Sequence, residues 1–171
     1  MSRVVVTGMG CISGLGPNLT ESWAALIAGD GAIQAWDPGD GSEALPAARV
    51  DPAWTASALA GRDLRHLGKL DLLSAFALAA ATEAVAQAGL LGHPVLQADT
   101  AILLGCGSGG NATIDAAFER LYRKGAERVH PQTIPSSMIS APASHLSMLL
   151  GAHGPVYVLS SACASSAHAI G

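Results

Sequence analysis

Apolar residues fall along this chain in short β-branched runs closed by glycines and in longer stretches rich in alanine and leucine. Val4 to Thr7 is such a run, with glycines at 8, 10, 14 and 16 behind it, and predicts a short buried strand followed by a loop. Asn18 with Glu21 three positions on predicts a capped helix, amphipathic through Trp23, Leu26 and Ile27 and stopped at Gly29. Residues 30–68 show no period and are broken by prolines and glycines, which predicts an irregular surface excursion with one short helix near 53–60. From 70 to 88 the chain is almost purely helix-forming, and Ser74 is the one polar side chain between Leu72 and Ala81. A helix apolar all round requires cover on both sides. Thr100 to Leu104 predicts a buried strand. Asn111 then caps a helix with Ile114, Ala117, Phe118 and Leu121 on one face and a Glu119–Arg123 pair on the other. Residues 125–135 predict a loop, and 136–150 a helix interrupted at Pro142. Val156 to Ser161 is the last strand, and an Ala/Ser helix begins at once after Cys163.

Strands alternating with helices predict an α/β protein with at least partly parallel strands. The length of 171 residues suits one domain able to bury a core. Half the residues are hydrophobic and only 13% are charged, roughly half the usual ~25%. Two readings follow: an Ala/Gly-rich protein whose helices are buried on several sides, or a part of a larger body whose remainder or dimer mate covers some of its surface. The net charge of −4 gives no basic footprint, so nucleic acid and anionic membranes are excluded as partners. No apolar run approaches the ~18 residues of a membrane span, and the N-terminal run is too short for a signal-peptide core. Three cysteines without metal spacing predict a reduced, cytoplasmic protein.

The chemistry concentrates at Cys163. A β-branched strand, small residues, a thiol and a helix start follow one another without a gap, so the cysteine falls at the turn. The first amides of a helix lack intrahelical acceptors and favour the anion that a thiol becomes. Cys11 and Cys106 follow glycine-rich turns without that context and read as structural.

The string Ser160-Ser-Ala-Cys-Ala-Ser-Ser-Ala-His-Ala-Ile-Gly171 resembles the nucleophile motif of the β-ketoacyl-acyl carrier protein synthases, the chain-extending condensing enzymes of type II fatty acid synthesis. The likeness extends upstream through Arg3-Val-Val-Val-Thr-Gly-Met-Gly10, Lys69-Leu-Asp71, Gly105-Cys-Gly-Ser-Gly-Gly110, Pro135-Ser-Ser137, His145-Leu and Gly151-Ala-His-Gly-Pro155. It implies a thiolase-like layered αβαβα fold, of which residues 1–171 are the N-terminal half. It implies that Cys163 accepts an acyl group from the phosphopantetheine of acyl carrier protein, with no other cofactor and no metal. Decarboxylative condensation with malonyl-acyl carrier protein would follow. It places the acyl-tail channel at the middle of the glycine-rich turn and just before Pro135, hence at Ser108, Thr133 and Ile134. A small residue at 108 implies an open channel taking medium or long acyl primers. It implies a homodimer paired through the 156–161 strand. In that family the catalytic histidines, a lysine and the second oxyanion donor lie beyond the cysteine, whereas this chain ends eight residues after it. The missing C-terminal half is then a further partner, and this chain alone would not condense. Two neighbouring readings stay open, a non-catalytic chain-length partner of a ketosynthase and a ketosynthase of a specialised polyketide pathway. Chain-length partners lose the cysteine, and polyketide domains usually read Thr-Ala-Cys-Ser-Ser-Ser. A non-enzymatic scaffold is a third class.

Some patterns mislead. Gly105-Cys-Gly107-Ser-Gly-Gly110 spells a dinucleotide-binding fingerprint, but residues 125–132 offer no second strand ending in an acid, so a turn built for close packing is favoured. The histidines form no metal set. His168 lies five positions after Cys163, and side chains at that spacing on one helix diverge by roughly 140°, which argues against a direct Cys–His pair.

Overall fold

Asn18 opens the first helix, α1 (Leu19–Ala28), in the computed structural model, which describes residues 3–171. Its Oδ1 accepts from the Glu21 amide at 2.9 Å, and its Nδ2 donates to the Glu21 carboxylate at 2.7 Å. The first-turn donors are thus met locally, as the spacing predicts. A second carboxylate, Glu83, accepts from the amides of Leu19 and Cys11, both at 2.9 Å. These contacts lie within one compact unit, made of residues up to Gly61 together with Ala79–Leu91.

The same unit corrects two expectations. Val4 to Thr7 forms no strand; among the described residues nothing pairs with it, and Val4 and Val6 are 94% and 77% exposed. A β-branched run supplies only one side of a ladder, and strand state depends on a neighbour that local sequence cannot supply. Conversely, residues 30–68 hold an antiparallel hairpin of β1 (Ile33–Trp36) and β2 (Leu45–Ala48), with Ile33 opposite Ala48 and Trp36 opposite Leu45. Its loop is built from two short carboxylate-capped turns, in which Asp37 accepts from the Gly39 amide and Asp40 from the Ser42 amide. Helix α2 (Pro52–Ala58) follows near the expected position, with Asp51 capping the Ala53 amide.

The other unit comprises Arg62–Leu78 and Gly92–Gly171. Helix α3 (Leu72–Gln87) contributes its first turns here, and from Leu73 to Val85 none of its residues is exposed. Asp71, itself buried, sets where this helix starts and where another does. One oxygen accepts from the Leu73 amide at 2.9 Å and the other from the Thr113 amide at 2.8 Å. Thr113 lies in the first turn of α5 (Asn111–Phe118), which follows α4 (Val95–Ala98) and β3 (Ile102–Gly105). Asn111 is therefore the first helical residue rather than the cap; Gly110 holds the cap position and Asp71 reaches in from outside the segment.

Helix α5 runs on into a π-helical turn, Glu119–Arg123. Its extra residue carries the salt-bridge partner of Glu119 from position 123 to Lys124, at 2.9 Å, in place of the expected Arg123. Helices α6 (Thr133–Ser137) and α7 (Ala141–Leu150) come next, and Pro142 begins α7 instead of interrupting a longer helix. Proline lacks only an amide that a first turn leaves unpaired anyway. His145 of α7 meets the fully buried Ser74 hydroxyl at 3.0 Å, and burial holds its pKa below the usual histidine value. Strand β4 (Val156–Leu159) pairs in parallel with β3, Ile102 opposite Val156 and Gly105 opposite Leu159. Helices α7 and α8 (Ser165–Ile170) pack on this ribbon around Ile102, Leu146 and Ala143. Among the described residues no helix is long and apolar enough to cross a membrane, and no three metal-ligating side chains gather.

Candidate active site

Strand β4 leaves the ribbon through Ser160 and Ser161, and the chain reverses into α8 within four residues. Ala162 makes this possible at φ 49°, the one non-glycine residue at positive φ among those described. An L-residue there costs about 1 kcal/mol or more, so surrounding contacts must hold it. The buried Ser165 does so from within, where its Oγ accepts from the Ser161 amide at 2.9 Å and donates to the Ala162 carbonyl at 2.7 Å. Ser161 Oγ is hydrogen-bonded to His168 Nδ1 at 2.7 Å. The histidine ring is thus engaged by a hydroxyl, not by the thiol.

Cys163 stands on the outside of this elbow, exposed and free. Past it, the Ala164 amide donates to the Ser161 carbonyl and the Ser165 amide to the Ala162 carbonyl. The Cys163 amide, like that of Ala162 beside it, donates to no group among the described residues. Thiol and uncommitted amide belong to one residue, which is what acyl transfer through a covalent intermediate requires of its first half-site. Among the three cysteines, Cys11 is half-buried, and Cys106 is buried with its Sγ donating to the Ser108 carbonyl at 2.7 Å. Iodoacetamide at neutral pH followed by peptide mapping should therefore label Cys163 well ahead of the other two. Equal labelling of Cys106 would contradict the exposure difference.

The glycine-rich turn serves as the seat of the elbow. Gly105 lies against the backbone of Ser165 and Ser166, Gly107 against the Ala162 carbonyl, Gly109 against the Ser137 carbonyl, and Gly110 against the Asp71 carboxyl group. Each face where a Cβ would stand is already filled. The Gly110 amide is committed to Ser137 and that of Cys106 to Leu159, so these groups offer nothing to a pyrophosphate. Ser108 sits exposed at the middle of this turn, its Oγ within 3.5 Å of Asn111 Oδ1. Thr133 and the exposed Ile134 begin α6.

Thr133 also lines a cleft of about 80 Å³ with Lys69, Thr113, Arg120, His130 and Gln132; Ser108 lies outside it. Apart from Arg3 and Arg49, every lysine and arginine of the chain falls in residues 62–69 and 120–128, and this cleft joins the two stretches. Part of that charge is already matched. Arg65 grips Asp63 at 2.7 and 2.9 Å and draws its carboxyl down to about 2, while Lys124 is held by Glu119.

An α/β protein that holds a cysteine out on a tight strand-to-helix elbow is the class these features define. Residues 1–171 match the β-ketoacyl synthase N-terminal domain, and the chain belongs to that family. It is 33% identical over 172 residues to 3-oxoacyl-[acyl-carrier-protein] synthase 2 of Vibrio cholerae, covering 99% of this chain and 41% of that protein. It is 34% identical over 174 residues to nodulation protein E of Rhizobium leguminosarum bv. trifolii, covering 98% and 41%. Among solved structures, a β-ketoacyl synthase from Burkholderia phymatum superposes with a TM-score of 0.78 at 29% identity, over 99% of this chain and 42% of that one. The fold is the thiolase-like fold of the ketosynthases, and the chain spans about two fifths of the length of these relatives.

Sequence reasoning placed Cys163 at a strand-to-helix turn and read the glycine stretch as a packing turn, and the structure has both. It missed Ser165 and His168 as parts of the elbow. Their spacing, two and five positions past the cysteine, was the available signal, but it identifies partners only once the turn itself is known.

Proposed function

We propose that this chain carries the acyl-accepting site of a β-ketoacyl-acyl carrier protein synthase. The observation that supports it most is the pairing, in one exposed residue, of the Cys163 thiol with an uncommitted backbone amide. The thiolate attacks the carbonyl carbon of an acyl-phosphopantetheine thioester on acyl carrier protein. The amide donates to the resulting oxyanion. The carrier thiolate leaves and takes up a proton, and the acyl group remains on sulfur. In the second half-reaction malonyl-carrier protein loses carbon dioxide, its enolate carbon attacks the acyl-cysteine, and the Cys163 thiolate is expelled. The groups that assist decarboxylation belong to sequence beyond this chain, so residues 1–171 alone do not condense. No metal or further cofactor takes part.

The cations of 62–69 and 120–128 suit docking of an acidic carrier protein, a contact that salt would weaken. Ser108, Thr133 and Ile134 line the acyl-tail channel in this reading. The outer edge of β4, with Tyr157 63% exposed, suits pairing with a second copy, since a bare apolar edge otherwise invites aggregation. The reading places the protein in the cytoplasm. Nearly equal identities to the fatty acid enzyme and to nodulation protein E leave both general and specialised chain elongation within it. To test it, the complete protein is incubated with acyl-carrier protein, digested and mapped by mass. An acyl group on Cys163 is expected; acylation only at other residues, or none, would overturn the proposal.

A further inference from the structure

We propose that Ser165 is a positioning residue that aims the Cys163 amide, with His168 bracing it through Ser161; this rests on the reading of Cys163 as the acyl acceptor. The peptide joining Ala162 to Cys163 is a rigid trans plane, carrying the Ala162 carbonyl oxygen on one side and the Cys163 N–H on the other. Whatever fixes the direction of that oxygen also fixes the direction of that N–H. Ser165 fixes it twice, by its Oγ at 2.7 Å and by its own amide at 3.2 Å. The same Oγ holds the Ser161 amide on the near side of Ala162, so both flanks of the left-handed residue are tied to one buried hydroxyl. Burial matters, because no water competes for those bonds.

The second tie lies outside. His168, on the helix after the cysteine, meets the Ser161 side chain before it at 2.7 Å and closes a loop around Cys163 between residues seven positions apart. Without these ties Ala162 returns to negative φ, where alanine is more stable, and the peptide plane turns with it. The amide then points away from an oxyanion, while the thiol remains exposed.

The two halves of the site therefore separate experimentally. Acylation by an acyl thioester uses both thiol and amide, whereas alkylation by iodoacetamide uses the thiol alone. In the complete protein, Ser165→Ala is expected to slow acylation of Cys163 from acyl-carrier protein by about tenfold or more, with alkylation within about twofold of the unaltered protein. His168→Ala, at an exposed position that cannot unfold the core, should show the same split at about threefold, and His168→Asn, which keeps a hydrogen-bonding group, should restore it. Acylation and alkylation falling together, or neither rate moving in either alanine variant, would overturn the positioning role. If unaltered protein shows no acyl-Cys163 at all, the proposed function fails instead, which the first measurement reveals before any variant is compared.

Discussion

If Cys163 is the acyl acceptor proposed above, Cys163→Ala in the complete protein is expected to reduce condensation by at least about a thousandfold, since losing a covalent nucleophile removes a reaction path rather than weakening a contact. Two nearby groups cannot take its place: Ser165 Oγ is buried and doubly bonded, and the Cys106 thiol is buried against the Ser108 carbonyl. The loss should be confined to chemistry: Cys163 is exposed and its side chain supports nothing, so the melting temperature should stay within a degree or two. Carrier-dependent formation of the β-ketoacyl product and thermal melting, measured side by side, check both halves. Retention of more than a tenth of the activity would remove Cys163 from the mechanism.

Gly105→Ala is the second large effect expected, and it acts in the opposite order, on structure first. The added methyl would fall onto the backbone of Ser165 and Ser166, and no rotamer change can clear a backbone atom. Helix α8 must lift from the β3–β4 ribbon, carrying with it both hydrogen bonds of the Ser165 hydroxyl. Forced overpacking of this kind costs about 3 kcal/mol, which for a chain of this length lowers the melting temperature by roughly 6–12 °C. Acylation of Cys163 should fall further than stability does, because the elbow is what moves. Ala162→Gly is the matched control. At φ 49° glycine is the more comfortable residue, so that exchange should leave melting nearly unchanged. A Gly105→Ala variant that melts like the unaltered protein would show that α8 is not seated as described.

What could be read from the sequence depended on how local the determinant was. Asn18 and Glu21 announce α1 because cap and partner lie within one turn. The elbow at Cys163 was legible because strand, turn and helix are contiguous. The reading of the glycine stretch as a turn built for close packing also held, since Gly105, Gly107, Gly109 and Gly110 all face backbone or carboxyl atoms. Determinants distant in sequence were not legible. Val4 to Thr7 has strand composition but no ladder partner among the described residues, and Asn111 yields the capping role to Asp71, 40 positions away. The β1–β2 hairpin escaped notice because its four-residue strands are too short to show a period and six of the eight residues of its loop are turn formers. Ser165 and His168 look like ordinary helix residues until the reversed chain brings Ser161 beside them.

The π-helical turn at Glu119–Arg123 works as an expansion joint in front of the second stretch of cations. Such a turn spends one more residue than an α-helical turn on about the same rotation, so it holds one residue of slack. Deleting a single residue between Arg120 and Arg123 would let the segment close as ordinary α-helix with Lys124 four positions after Glu119. Their ion pair, and the bearing of the cations beyond it, would then be kept. The compass bearing of the charge on this surface is therefore insulated from a one-residue change in chain length at this point.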